Sequence, residues 1–212
     1  MLVKSFALKI WIVFLTFAAG FVNVAAVRVF SCSVSHHTGN VTRFAVSIAA
    51  GECGVAVKTL SIAAAFFIGA FVSGLMFHQR KLALKKRYGI FLLFFSLCFF
   101  VVSQFNIPQE AVLALLAFIA GMQNGMFIYY GDILVRTTHL TGYLTDAAFA
   151  LGMAVRGDRS KLRLAVFYLI NIFCFIAGGT ASALIHKTAA LSACGCIYGA
   201  AGIYYFILRH TQ

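Results

Sequence analysis

Thr138-His139-Leu140-Thr141-Gly142-Tyr143-Leu144-Thr145-Asp146 is a run of small polar and ionisable residues set between two strongly apolar segments. A partial copy lies earlier, Ser35-His36-His37-Thr38-Gly39-Asn40-Val41-Thr42-Arg43. His, Thr, Gly and a second Thr recur in the same order, His36 standing 103 positions before His139. In a membrane-embedded chain, a pair of polar inserts is the first place to look for function.

Composition places the chain in a membrane. It is 62% hydrophobic and 10% charged, has one proline, and has a mean hydropathy of +0.96. A soluble domain carries about 25% charged residues. The 212 residues allow one helical bundle, a single membrane domain over 1–212, with no separate soluble domain. The excess of 17 Lys and Arg over 5 Asp and Glu would suggest nucleic acid in a soluble protein. Here it reads as loop charge that fixes orientation, and no basic stretch is interleaved with stacking aromatics. The cysteines Cys32, Cys53, Cys98, Cys174, Cys194 and Cys196 show no metal-ligand spacing. They read as packing residues, and no metal or cofactor is expected.

The uncharged run 10–27 is about the 20 residues that cross a bilayer. It is longer than the 7–15-residue core of a signal peptide. Further spans are expected over 59–77, 88–105, 111–130, 164–185 and 188–208, with a tight turn at 106–110. The uncharged pieces after the inserts, 44–51 and 147–155, are too short to cross. With the N-terminus inside, this six-span scheme puts 13 of the 17 basic residues on the cytoplasmic side, including Arg80, Lys81, Lys85, Lys86 and Arg87 in one loop. Treating the short pieces as full spans divides the charges evenly. The positive-inside rule therefore favours six spans and two re-entrant or half-helix segments, with both termini cytoplasmic.

Phe17-Ala18-Ala19-Gly20-Phe21-Val22-Asn23 recurs as Phe118-Ile119-Ala120-Gly121-Met122-Gln123-Asn124. Together with the inserts this points to a duplication, repeat one over 8–106 and repeat two over 110–208. Three spans per repeat is an odd number, so the second repeat lies inverted relative to the first. The expected fold class is an all-α integral membrane protein: six transmembrane helices in two inverted three-helix repeats, each with a segment carrying His-x-Thr-Gly.

These residues resemble the YoaK-type family of bacterial inner-membrane proteins, a domain of unknown function. The resemblance rests on Ser35, His36, Thr38, Gly39 and Asn40, and on Arg136, Thr138, His139, Thr141, Gly142, Thr145 and Asp146. Ala19, Gly20 and Asn23, and Gly121, Met122, Gln123 and Asn124, extend it. It implies a multi-pass protein of the bacterial inner membrane, and it supplies no activity. His37 departs from the pattern, which has an apolar residue there.

The candidate substrate-binding residues are His36, Thr38, Asn40, Arg43, Asn124, His139, Thr141, Thr145 and Asp146. A His changes charge near neutral pH and serves as donor or proton carrier, or else bonds a nearby carbonyl. Arg43 and Asp146 occupy equivalent positions with opposite sign: either they pair across the two halves, or Arg43 reaches the interface while Asp146 caps a half-helix. Thr-Gly suits a turn into a half-helix, whose free N–H groups attract anions. Asn23, Gln123 and Asn124 either line a pathway or bond across helices. Gly69, Ser73 and Gly74, and Gly178, Gly179 and Ser182, are spaced for close helix packing.

The expected function is a transporter or channel for a small, anionic solute, bound at the midplane by the two inserts. An enzyme is not expected, because no nucleophile elbow, metal cluster or helically spaced carboxylate pair is present. The alternatives are a partner-binding membrane protein, dimeric through its small-residue faces, and a haem protein ligated by His36 and His139. The bilayer itself is the other partner.

Overall fold

The computed structural model describes residues 2–77, 84–126, 129–130 and 133–210. The expected loop residues Arg80 and Lys81, Asp132, and positions 127–128 of the fourth span lie outside them. Helices dominate, as long apolar runs require when no water is present to satisfy the backbone. They are α1 (Leu2–Phe30), α2 (His37–Ala49), α3 (Cys53–Phe77), α4 (Lys86–Gln104), α5 (Gln109–Gly125), α6 (Leu140–Val155), α7 (Leu162–Leu184) and α8 (Ala190–His210). A two-residue antiparallel ribbon, β1 (Tyr129–Tyr130) with β2 (Ile133–Leu134), separates α5 from α6.

Among the described residues, five helical stretches are long and apolar enough to cross a membrane: Phe6–Phe30, Cys53–Phe77, Lys86–Gln104, Arg159–Leu184 and Lys187–His210. The expected fourth span needs correction. Helix α5 has 17 residues and stops at Gly125, about 25 Å at 1.5 Å per residue. The chain then turns into the ribbon rather than staying helical to residue 130. Helices α2 and α6, of 13 and 16 residues, are shorter than a crossing requires.

Both short helices end on a left-handed glycine. Gly51 has φ +71° and Gly157 has φ +112°, conformations open to a residue without Cβ. The following N–H reaches back in each case, Glu52 to the Ser47 carbonyl at 2.8 Å and Asp158 to Met153 at 3.1 Å. These are the same helix-ending turn used twice. Pro108, whose missing N–H costs nothing at a helix start, opens α5.

Three helix pairs make the bundle, and their directions follow from matched contacts. Helices α1 and α7 run parallel: Lys9 shares a cleft with Arg163, Gly178 faces Phe17 and Phe21, and the Arg28 guanidinium donates to the carbonyls of Ser182 and Ile185 near the end of α7. Helices α3 and α5 are also parallel, Gly69 meeting Phe118 and Gly125 meeting Ser73. Helices α4 and α8 are antiparallel, since Gly89 meets Phe206, Leu93 meets Gly202, and Ser96 donates to the Gly195 carbonyl at 2.7 Å. Helix α8 also runs antiparallel to α1, fixed by Trp11 Nε1 donating to the Ala201 carbonyl at 3.2 Å and the Tyr204 hydroxyl to Ala7 at 3.3 Å.

The core lies around α1, whose Trp11, Ile12, Leu15, Thr16 and Ala18 are fully buried. The outer face of α3 is the opposite case, exposing Val57, Leu60, Phe67, Ile68, Phe71 and Leu75. Such a face suits lipid, whose tails are as apolar as the side chains. The small residues pack within the chain as expected: Gly69, Gly178 and Gly179 each lie against a neighbouring helix, and Gly74 faces open space. All six cysteines are free.

Candidate functional site

Each polar insert enters its helix in the same way. His36 has φ −93° and ψ 67° at the start of α2, and His139 has φ −96° and ψ 69° at the start of α6. Neither helix start carries a side-chain cap. The threonines expected to cap sit inside the first turn instead, Thr38 second in α2 and Thr141 second in α6. The first helical bonds run from Asn40 N–H to His36 at 3.1 Å and from Tyr143 N–H to His139 at 3.2 Å. Three N–H groups before each of these are left without a helical acceptor.

Both helix starts open on one cavity of about 390 Å³. Its walls come from both inserts, from Asn124 at the end of α5, and from Phe66 at the middle of α3. His36, Thr38, Asn124, His139 and Thr141 from the sequence-derived set all line it. So do Arg136 and Thr138, which that set lacks. The signal for both was present: they belong to the Arg-x-Thr-His element immediately before His139. Among the described residues, none that lines it is acidic.

Four expected residues lie elsewhere. Asn40 is buried and donates its amide to the Ser33 carbonyl at 2.9 Å, holding the first insert's turn. Thr145 turns its hydroxyl back to the Thr141 carbonyl at 3.1 Å, as Thr42 does to Thr38 at 2.9 Å. Arg43 is exposed on α2, whereas Asp146 lines a separate cleft of about 250 Å³ with Lys161 and Tyr168. The two form no ion pair.

The polar residues within the long helices divide their roles. Asn23 in α1 accepts from the Ser33 hydroxyl at 2.7 Å and the Ser35 hydroxyl at 2.8 Å, and its amide lies 3.5 Å from His36 Nδ1. Gln123 donates to the Leu15 carbonyl at 3.0 Å and the Thr137 hydroxyl at 2.9 Å, and accepts from the Tyr198 hydroxyl. It therefore ties α5 to α1, to α8 and to the segment before α6. Asn124, one residue on, faces the cavity.

His37 packs its ring on Phe66, centroids 4.0 Å apart. Burial lowers the pKa of both His36 and His37, and for His37 the neighbouring His36 acts in the same direction. Both rings are therefore mainly neutral at pH 7. The His139 ring folds over its own helix start, where a Cβ on Gly142 would lie 2.5 Å from Nδ1. Glycine at 142 thus leaves room for the histidine. Among the described residues no cluster of three or more His, Cys, Asp or Glu is arranged to hold a metal ion.

No curated protein and no solved structure matches the chain. A match over residues 11–208, nearly the full length and including both inserts and every cavity-lining residue, places the chain in the family described as Protein of unknown function (DUF1275), and it belongs to that family.

Proposed function

We propose that this chain is an inner-membrane transport protein for a small anionic solute, built as two inverted halves with the solute site between the two inserts. Helix direction supports the six-span plan. If α6 crossed the membrane, four crossings would lead from α4 to α8 and the two would be parallel; they are antiparallel. If α2 alone crossed, α1 and α7 would be antiparallel; they are parallel. With α5 counted as a crossing, a scheme in which neither short helix crosses matches both pairings, which supports the six-span plan.

Exchange of the halves maps the contacts onto each other. Gly20 against the Phe175 carbonyl corresponds to Gly121 against Phe66, and Gly178 against Phe17 corresponds to Gly69 against Phe118. The matched starts of α2 and α6 and their matched glycine ends support the same relation. Charge supports the orientation. Arg209 reaches the Leu84 carbonyl at 3.4 Å beside the basic start of α4, and Lys9 and Arg163 share that end of the bundle. By the positive-inside rule this end is cytoplasmic.

The observation that carries the function is the cavity itself. Two helix N-termini, Arg136 and three histidines face a mid-bundle space with no acidic lining among the described residues, a setting that attracts anions. Its volume of about 390 Å³ falls in the range of small-molecule sites. The test is a thermal-stability screen of the detergent-purified protein against small anions, amino acids and metabolites, since a ligand preferring the folded state raises its stability. A hit lost in His139→Ala, followed by uptake of that solute into vesicles, is the expected result. A broad panel without a hit would remove the reading in favour of a partner-binding protein.

A further inference from the structure

The two sides of the cavity carry corresponding side chains in different states. On the first side the cluster around Asn23 is closed, although both ring nitrogens of the neighbouring His37 are buried without a partner. Asn23 accepts two hydroxyls, from Ser33 and Ser35, its amide approaches His36, and Asn40 closes on the Ser33 carbonyl. The equivalent positions on the second side hold Asn124 for Asn23, Arg136 for Ser33, Thr138 for Ser35 and His139 for His36. There the side chains of these four stay open, although Tyr143, at the position of Asn40, accepts from the Arg136 backbone N–H at 3.0 Å. The Asn124 side-chain oxygen is buried without a donor. Thr138 is only 5% exposed, yet among the described residues its hydroxyl has no partner, and neither does the Arg136 guanidinium. All four residues line the cavity.

A buried polar atom left unpaired, as the Asn124 oxygen is, is costly and calls for an explanation. The first side shows that this fold can satisfy the same constellation internally. On the second side a cation replaces the serine that would have closed it, and the ring of hydrogen bonds is not formed.

We propose that the second side holds the solute: its anionic group on the Arg136 guanidinium, the Thr138 hydroxyl and the free N–H groups opening α6, with an O–H or N–H of the same molecule donating to Asn124. The ligand class is a small hydroxy- or amino-carboxylate. A carboxylate suits the planar guanidinium fork, which donates two parallel bonds to two coplanar oxygens. The acceptor on Asn124 supplies the second requirement, a donor on the solute. The first side, whose asparagine is already bonded, forms the opposing wall and adds shape through Phe66 and His37. This assignment rests on the reading of the cavity as the solute site.

The test compares matched solutes on the full chain in detergent, by calorimetric titration and by shift of the thermal midpoint. Lactate and alanine share the carboxylate and carbon count of propionate and add the donor. Either should bind about tenfold tighter than propionate, and sulfate more weakly than both, as one hydrogen bond in a desolvated site would give. Arg136→Gln should weaken binding about tenfold or more, and Thr138→Val less. Arg136→Lys should retain part of the affinity, which separates loss of charge from loss of fold. Lys187→Gln, removing a cation outside the site, should bind as the parent does.

Propionate binding as well as lactate and alanine would overturn the donor requirement, and unaltered affinity in Arg136→Gln would overturn the anion assignment. A cationic or uncharged solute whose binding is lost in His139→Ala would overturn this inference while leaving the cavity as the solute site. No binding by any solute would remove both.

Discussion

Gly20 lies directly against the backbone carbonyl of Phe175, so close that a Cβ at this position would overlap the oxygen. One turn along the same crossing, Gly178 lies in the same way against the carbonyl of Phe17. Each helix thus supplies one glycine to admit the other's backbone, and α3 with α5 repeats the arrangement through Gly69 and Gly121. Alanine at Gly20 or Gly121 must push two helices apart, at a cost of about 1–3 kcal/mol. Gly74→Ala, with nothing within 4 Å of the added methyl, should be neutral or slightly stabilising. Thermal midpoints of the three variants in one detergent check this; equal midpoints would reject the close crossing.

The asymmetry between the two asparagines gives opposite expectations for one substitution. Asn23→Ala strands the Ser33 and Ser35 hydroxyls that now donate to it, and should cost about 1–3 kcal/mol of stability. Asn124→Ala removes a side-chain oxygen that has no donor, so stability should hold while solute binding falls. The pair is read by unfolding midpoint and titration together. Similar loss of stability in both would argue against an open second side.

Gln123 is bonded to three separate parts of the bundle. Gln123→Leu leaves the Tyr198 and Thr137 hydroxyls without it, and should lower stability by on the order of 2 kcal/mol. Tyr198→Phe removes one partner and should cost about 1 kcal/mol. The double variant should be less destabilised than the sum, because the two share a bond; strict additivity would show that the bond contributes nothing.

Burial holds the pKa of His36 and His37 below the ordinary 6.5. Below that pH the unfolded chain takes up more protons than the folded one, so stability rises with pH in this window and levels off above it. The purified protein should therefore lose stability as the pH falls through 6.5. His37→Leu, which puts an apolar side chain against Phe66, should flatten part of that decline. A midpoint–pH curve identical to the parent's would show that His37 titrates as freely in the folded state as in the unfolded one.

Reporter fusions test the membrane plan directly. A reporter after residue 53, at the start of α3, should lie outside, and one after residue 158, before α7, should lie inside. The opposite or a uniform result would remove the inverted arrangement of the halves, whatever the cavity binds.

Most of the helical content was legible because an apolar run in lipid has no alternative to a helix for its backbone. The expected spans at 88–105, 164–185 and 188–208 lie within a few residues of α4, α7 and α8. The miss at α5 has a local cause. Residues 126–130 are apolar enough to extend a span, but the helix ends at Gly125, and hydropathy cannot report where a chain turns aside.

At the site, the two inserts and their histidines were visible as a repeated polar pattern within apolar sequence. The pattern could not separate residues on one face of a short helix from those on another. Thr145 and Asp146 lie within two helical turns after His139, and Arg136 and Thr138 lie just before it. Yet α6 turns the first two away from the cavity, while the segment before it leaves the other two on its wall. The sequence by itself determined that this is a membrane bundle with two related polar inserts, because composition and repetition are properties of the chain alone. Only the tertiary structure decided that both inserts start helices at one cavity, and that Asn23 is closed by its serines while Asn124 is left open. Which polar groups find partners depends on atoms brought together from distant parts of the chain.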